Sequence, residues 1–113
     1  MNHTNQRNMK IVDELMMFCL NHRCDNINLN LKIEDEKTII TIKAYINNLS
    51  DDILSEIKSL LSTPRRPEME EYYWNLNGND DTDSELILIG MMTDDVIIEY
   101  KNNELKIKLI RLN

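Results

Sequence analysis

The spacing of apolar and polar residues divides the first half of the chain into a helix and two strands. Between Asn8 and Asn21, apolar residues recur at three- and four-residue steps, which predicts an amphipathic helix. From Ile27 to Ile33 apolar and polar residues alternate strictly, as in a half-buried strand. A second, β-branched segment, 38–46, follows a charged turn, so the two segments predict a β-hairpin. The predicted helix stripe consists of Ile11, Val12, Leu15, Met16, Cys19 and Leu20.

The second half of the chain predicts three helices and another hairpin. Ser50 is a suitable N-cap for a helix that ends before Pro64, and Pro67 suits the first position of a short helix ending near Gly78. A fourth helix, 85–92, is apolar on almost every side and is therefore expected to be buried. Strands at 96–100 and 105–109 flank a turn whose asparagines tolerate positive φ.

This order of elements, α-β-β-α-α-α-β-β, predicts an α+β fold. We expect a two-layer sandwich, in which an antiparallel sheet of two hairpins carries helices on one face. A length of 113 residues corresponds to one domain. The polar residues 1–8 are expected to form a flexible N-terminal tail, with Met9 as a second start site, and residues 9–113 to form the domain.

Composition and charge limit the function classes. The formal net charge of −7 disfavours nucleic acid as a partner, because each phosphate contact needs a cation. No apolar run is long enough to cross a membrane, and the N-terminus lacks a signal-peptide core. We therefore expect a cytoplasmic protein with two free cysteines, and the abundance of Asn, Ile and Lys is typical of an AT-rich bacterial genome.

The segment from Pro67 to Tyr100 combines aromatic and acidic residues without any lysine or arginine. It holds ten of the 20 acidic residues. The aromatic run Tyr72-Tyr73-Trp74 lies in it, and Arg65 and Arg66 precede it between two prolines. Three consecutive helical residues cannot all share one buried face, so at least one ring is expected at the surface, where Tyr and Trp favour binding. The structural alternative is that the rings close the edge of the core and that the arginines pair with nearby carboxylates.

Two other clusters resemble metal sites without completing one. Cys19-x-x-His22-x-Cys24 offers three candidate ligands at a helix end, whereas zinc needs four. The loop 79–83 begins like a calcium loop, but Ser84 and Gly90 occupy the positions that need Gly and Glu. No nucleotide-binding, hydrolase or metalloprotease motif is present, so we predict no metal, no cofactor and no catalytic residue. Four methionines at helical spacing, Met16, Met17, Met91 and Met92, favour core packing over a ligand pocket.

The order of elements resembles that of the histidine-kinase-type (GHKL) ATPase domain. Residues 14–22 are similar to its first helix, 27–46 to its first hairpin, and 86–109 to its last helix and hairpin. The resemblance implies nucleotide binding near Glu14, as a general base, and Asn21. Phe18 stands where the family has its magnesium-binding asparagine, and both glycine-rich nucleotide motifs are missing.

Two functions follow as hypotheses. The first is a non-catalytic module that binds a protein partner, a basic one or a second copy, through Arg65, Arg66, Tyr72, Tyr73 and Trp74. The alternative is a nucleotide-binding domain of GHKL ancestry that uses Glu14 and Asn21.

Overall fold

The computed structural model describes residues 4–68 and 82–112. Within these ranges the chain forms three helices and four strands. In chain order they are α1 (Thr4–Asn21), β1 (Ile27–Ile33), β2 (Lys37–Tyr45), α2 (Asp51–Leu61), α3 (Thr82–Met91), β3 (Asp95–Lys101) and β4 (Glu104–Leu112). The short helix predicted from Pro67 falls largely outside the described residues. None of the described helices combines the length and apolar character needed to span a bilayer.

The four strands form one antiparallel sheet in the order β1-β2-β4-β3. This confirms the α+β class, the order of the described elements and the two hairpins. β4 pairs with β2 on one side and with β3 on the other, so the second hairpin lies beside β2. The edge strands are therefore β1 and β3.

One face of the sheet packs against the helices, and we call it the helix face. It carries apolar residues in cross-strand rows, of which Leu29, Ile42, Ile107 and Ile98 form one. The central strands β2 and β4 alternate buried helix-face residues with more accessible ones on the opposite, outer face. The alternation in the sequence therefore has its expected cause, which is burial of every second side chain against the helices.

Above the helix face, the helices lie in the order α1, α3, α2. α1 contacts β2 and α3, while α2 contacts β3 and α3. Gly90 lies at a close contact between α3 and α2, since a Cβ atom built there would be 2.5 Å from the backbone oxygen of Leu60. This helix layer positions α1 next to the strand at the edge of the sheet.

Local signals in the sequence account for the connections. The Ser50 side chain accepts a hydrogen bond from the Ile53 N–H at 3.1 Å, which confirms the predicted N-cap. Asn102 and Asn103 adopt φ values of 53° and 63° in the two-residue turn between β3 and β4. The Tyr100 hydroxyl accepts a hydrogen bond from the Leu49 N–H at 3.1 Å, which ties this hairpin to the segment before α2.

The first helix differs from its predicted boundaries and orientation. It begins at Thr4, so residues 4–8 belong to α1, whereas the sequence predicts a tail there. Asn8 is buried, Phe18 is buried and Leu20 is exposed. The buried stripe is rotated toward Phe18, and this leaves apolar residues on another side of α1.

Candidate interaction surface

The partner-binding residues predicted from the sequence fall only partly within the described ranges. Tyr72, Tyr73 and Trp74 lie outside them. Arg65 and Arg66 follow α2 at the end of the sheet where β4 ends, and the Arg66 side chain is exposed. The structure therefore locates the two arginines but does not bear on the aromatic run.

Arg65 connects three parts of the chain. Its guanidinium forms an ion pair with the Asp94 carboxylate and donates a hydrogen bond to the Leu112 carbonyl oxygen at 3.0 Å. Asp94 in turn accepts a hydrogen bond from the Leu112 N–H at 2.6 Å. These contacts join the end of α2 to the start of β3 and the end of β4, which gives Arg65 a structural role.

A polar cleft of about 230 Å³ lies beside Arg65. Its lining comes from the end of α2, from the residues before β3 and from the start of β3, and includes Ser62, Thr63, Thr93 and Asp95. The Arg65 guanidinium is engaged by Asp94 at this position. The cleft offers hydrogen-bonding groups, with the one arginine charge balanced by carboxylates.

The nucleotide-site residues implied by the resemblance lie on α1. Glu14 is half-buried and pairs with Lys10 one turn earlier, at 3.4 Å between Nζ and Oε2. Asn21 is the exposed last residue of the helix. Seven residues separate them, or about 10 Å along the helix axis. Glu14 thus has an ion-pair partner already, in a partly buried i,i+4 pair whose two side chains are only 16% and 15% exposed.

The cysteine cluster forms the end of α1. Cys19 and Cys24 are both free and buried. The Cys24 N–H donates to the Cys19 carbonyl oxygen at 3.2 Å, and the Cys24 thiol donates to the Asn26 carbonyl oxygen at 3.3 Å. Burial, and secondly the neighbouring Cys24, raise the pKa of Cys19 to about 12. Within the described residues, no group of three His, Cys, Asp or Glu side chains is placed to hold a metal ion.

The raised pKa predicts that Cys19 is chemically inert in the native protein. In the wild-type chain at pH 8, iodoacetamide should alkylate Cys19 roughly a thousandfold more slowly than in the unfolded chain, because the thiolate is the nucleophile. Mass spectrometry with and without guanidinium measures the two rates, and equal rates would contradict the prediction. The same shift lowers stability as pH rises from about 9 toward 12, since the unfolded chain loses the proton first.

The largest departure from ordinary burial lies on the helix face of β1. Leu29, Leu31 and Ile33 point to the same face as the core, yet they are 39%, 37% and 58% exposed. Their cross-strand partners on β2 are the buried residues Ile42, Ile40 and Thr38. The described helices α1, α2 and α3 therefore leave β1 uncovered, although the helix face of β1 is as apolar as that of a buried strand.

A side of α1 continues this apolar area. Met9, Met16 and Leu20 lie within roughly 40° of one another around the helix. Met9 is 56% exposed and Leu20 53%, while Met16 is partly buried. The hand of the connection from β2 to β3 decides which way this side of α1 points. β2 and β3 are parallel strands of one sheet, joined through α2 and α3. Connections of this kind are right-handed. With that hand, this side of α1 faces away from α3 and toward β1.

We call these six residues the β1 surface: Leu29, Leu31 and Ile33 of β1 with Met9, Met16 and Leu20 of α1. An exposed apolar area that two elements share is typical of a protein-contact site, whereas single exposed apolar residues are ordinary. Methionine side chains adapt their shape to a partner. The β1 surface could therefore bind a partner by burying its apolar side chains against it.

The backbone of β1 adds polar groups along the same edge that have no strand partner within residues 4–68 and 82–112. The Tyr45 N–H donates to the Asn26 carbonyl oxygen at 3.1 Å, and the Glu34 N–H to the Lys37 carbonyl oxygen at 2.8 Å. Both bonds belong to the β1–β2 register, so even-numbered residues of β1 direct their backbone groups toward β2. The odd-numbered residues 27, 29, 31 and 33 direct theirs outward, where a further strand could pair.

The outer face of the sheet is basic, in contrast to the acidic chain as a whole. It carries six of the eight lysines and only three acidic residues. The hydrogen bond that Glu104 accepts from the Tyr45 hydroxyl, and then its charge, raise the pKa of Tyr45 on this face. The residues are Lys32, Lys37, Lys43, Lys101, Lys106 and Lys108, with Asp95, Glu99 and Glu104.

Comparison with known protein families and curated sequences does not relate this chain to a family. Neither known protein-family models nor curated protein sequences give a significant match to this chain. The case for a function therefore depends on the surface itself.

Sequence reasoning missed the β1 surface for a specific reason. Alternation in β1 predicts a buried face, and only the position of α1 above β2 shows that this face is uncovered. One signal was present in the sequence: Met9, Met16 and Leu20 extend the apolar stripe of α1 beyond the width that one neighbour can bury.

Proposed function

We propose that this chain is a small, non-catalytic, cytoplasmic protein-interaction module whose contact area is the β1 surface. The observation that carries the proposal is the exposure of Leu29, Leu31 and Ile33 on the face that is buried in the neighbouring strand. Exposed leucine and isoleucine on a strand edge favour self-pairing or aggregation unless a partner covers them. The two buried, unbridged cysteines suit a reducing compartment.

The proposal moves the contact area away from the region predicted from the sequence. Arg65, the best-described member of that region, is engaged with Asp94 and Leu112 and thus contributes to the fold. The β1 surface, by contrast, combines apolar area with unpaired backbone groups at one edge. These two features are what β-augmentation uses, with hydrogen bonds supplying affinity and side-chain contacts supplying specificity.

The test compares two single substitutions of exposed apolar residues on opposite edges of the sheet. The immobilised chain is exposed to extract from the cells that make it, and retained proteins are identified, additional copies of the chain included. Leu31→Ser should lose the retained protein, because it removes apolar area at the centre of the β1 surface. The matched control Ile97→Ser, on the outer face of β3, should retain it.

Circular dichroism of both variants checks that the fold is kept. If wild type and Leu31→Ser retain the same proteins in the same amounts, the β1 surface is not the contact area and the proposal fails.

A further inference from the structure

We infer that the partner of the β1 surface is a second copy of this chain, joined by antiparallel pairing of the two β1 strands about a two-fold axis at Asn30. This inference rests on the proposed function and specifies its partner. The dimer would contain one continuous eight-stranded sheet, with the order of the four strands mirrored on either side of the axis.

The direction of the backbone groups on β1 selects the pairing register. In an antiparallel pair, residues with outward N–H and C=O groups must oppose one another to form hydrogen bonds. The outward residues are 27, 29, 31 and 33, so Leu29 opposes Leu31 of the second copy and Ile27 opposes Ile33. Every outward group of the strand is then paired, which gives about eight backbone hydrogen bonds.

The side chains match in the same register. On the helix face, Leu29 and Ile27 meet Leu31 and Ile33 of the second copy, so only apolar residues oppose one another. On the outer face, Lys32 opposes Asn28 of the second copy and Asn30 opposes itself. The one lysine of the strand, which forms an ion pair with Glu34 at 3.3 Å, thus has no like charge directly opposite.

In this dimer, the distance between neighbouring strands places the two α1 helices close to one another above the paired β1 strands. Neighbouring strands are about 4.8 Å apart, so the β2 strands of the two copies would be about 14 Å apart. Packed helices need about 8–10 Å between axes. Two α1 helices above these β2 strands are therefore within a side-chain length of each other, and Met9, Met16 and Leu20 fill the space over Leu29 and Leu31.

Charge distinguishes a second copy from a basic partner. Each copy has a net charge of −7, so two copies repel one another at a distance. Salt screens this repulsion, and the dimer should tighten as salt increases. A basic partner would be attracted to the acidic chain and would bind more weakly as salt increases.

The register is tested by cysteine crosslinking of the purified full chain. Opposed residues in a non-hydrogen-bonded pair have Cα atoms about 4.5 Å apart, within the range of a disulfide. Under mild oxidation, Asn30→Cys should form a covalent dimer in high yield. The matched control Asn28→Cys lies on the same face of the same strand but opposes Lys32, so it should form no covalent dimer, and neither should the parent chain, whose cysteines are buried.

Sedimentation equilibrium measures the association without crosslinks. We expect the wild-type chain to be dimeric at about 0.5 mM, and Leu31→Ser to raise the dissociation constant at least about tenfold, whereas Ile97→Ser leaves it unchanged. Amide protons of Leu29 and Leu31 should exchange slowly in the dimer, because they become hydrogen-bonded.

Three results would overturn the inference: a monomer at that concentration, equal crosslinking of the two cysteine variants, or a dimer whose Leu29 and Leu31 amides exchange freely. A monomeric chain that still retains a cellular protein through Leu31 would reject the second copy but leave the proposed function standing. A monomeric chain that retains nothing would reject both.

Discussion

Gly90→Ala is expected to lower the free energy of unfolding by about 2–3 kcal/mol, although alanine normally stabilises a helix interior by about 1 kcal/mol relative to glycine. The added methyl group would lie 2.5 Å from the Leu60 backbone oxygen and 3.1 Å from the Thr63 Cβ atom. A backbone oxygen cannot rotate away as a side chain can. The helices α2 and α3 must therefore separate, and the contacts between them weaken.

Urea unfolding followed by circular dichroism measures this change. The matched control is Ser59→Ala on the exposed side of α2, where alanine should be neutral or slightly stabilising. A Gly90→Ala protein as stable as wild type would show that the two helices can separate without loss.

Ile107→Ala should cost about 3–4 kcal/mol, the largest effect we expect from a single substitution. Ile107 is fully buried at the middle of β4, and its cross-strand neighbours on the helix face are Ile42 and Ile98. Both neighbours belong to the sheet, which cannot collapse into the space that the lost side chain leaves. The cavity therefore persists, and its cost adds to the lost transfer free energy.

The control for Ile107→Ala is Ile97→Ala, which removes the same atoms from an exposed position on the outer face of β3. Its effect should stay below about 1 kcal/mol. The urea midpoints of the two variants are compared at equal m-value. Similar losses at both positions would mean that the helix face is not where the stabilising burial occurs.

The fold was predictable because local signals in this chain agree with one another. Alternation defined β1 to the residue, Ser50 marked the start of α2, and the pair Asn102-Asn103 marked the turn between β3 and β4. Each is a short-range feature with a direct physical cause. The start of α1 was less predictable, because burial of Asn8 depends on its tertiary surroundings.

The candidate site was not predictable from the same signals. The acidic and aromatic composition directed attention to residues 65–74, of which the structure describes only the start. Exposure of Leu29 and Leu31 depends on which strand the helix layer leaves uncovered, and the sequence does not encode this locally. The strand order decides it, because β4 occupies the place beside β2 and leaves β1 at the edge.

The position of β4 also has a consequence for the order in which the molecule folds. β4 is the last strand in the sequence order, but it lies between β2 and β3 and pairs with both. During synthesis, the first hairpin and β3 are made before β4. They cannot form one sheet until β4 has left the ribosome and pairs with both β2 and β3. Contacts between β2 and β4 span some 65 residues of sequence, so loop-closure entropy should make this a slow step. We therefore expect the insertion of β4 to be the step that completes the sheet, and before it one edge of β2 has no strand partner.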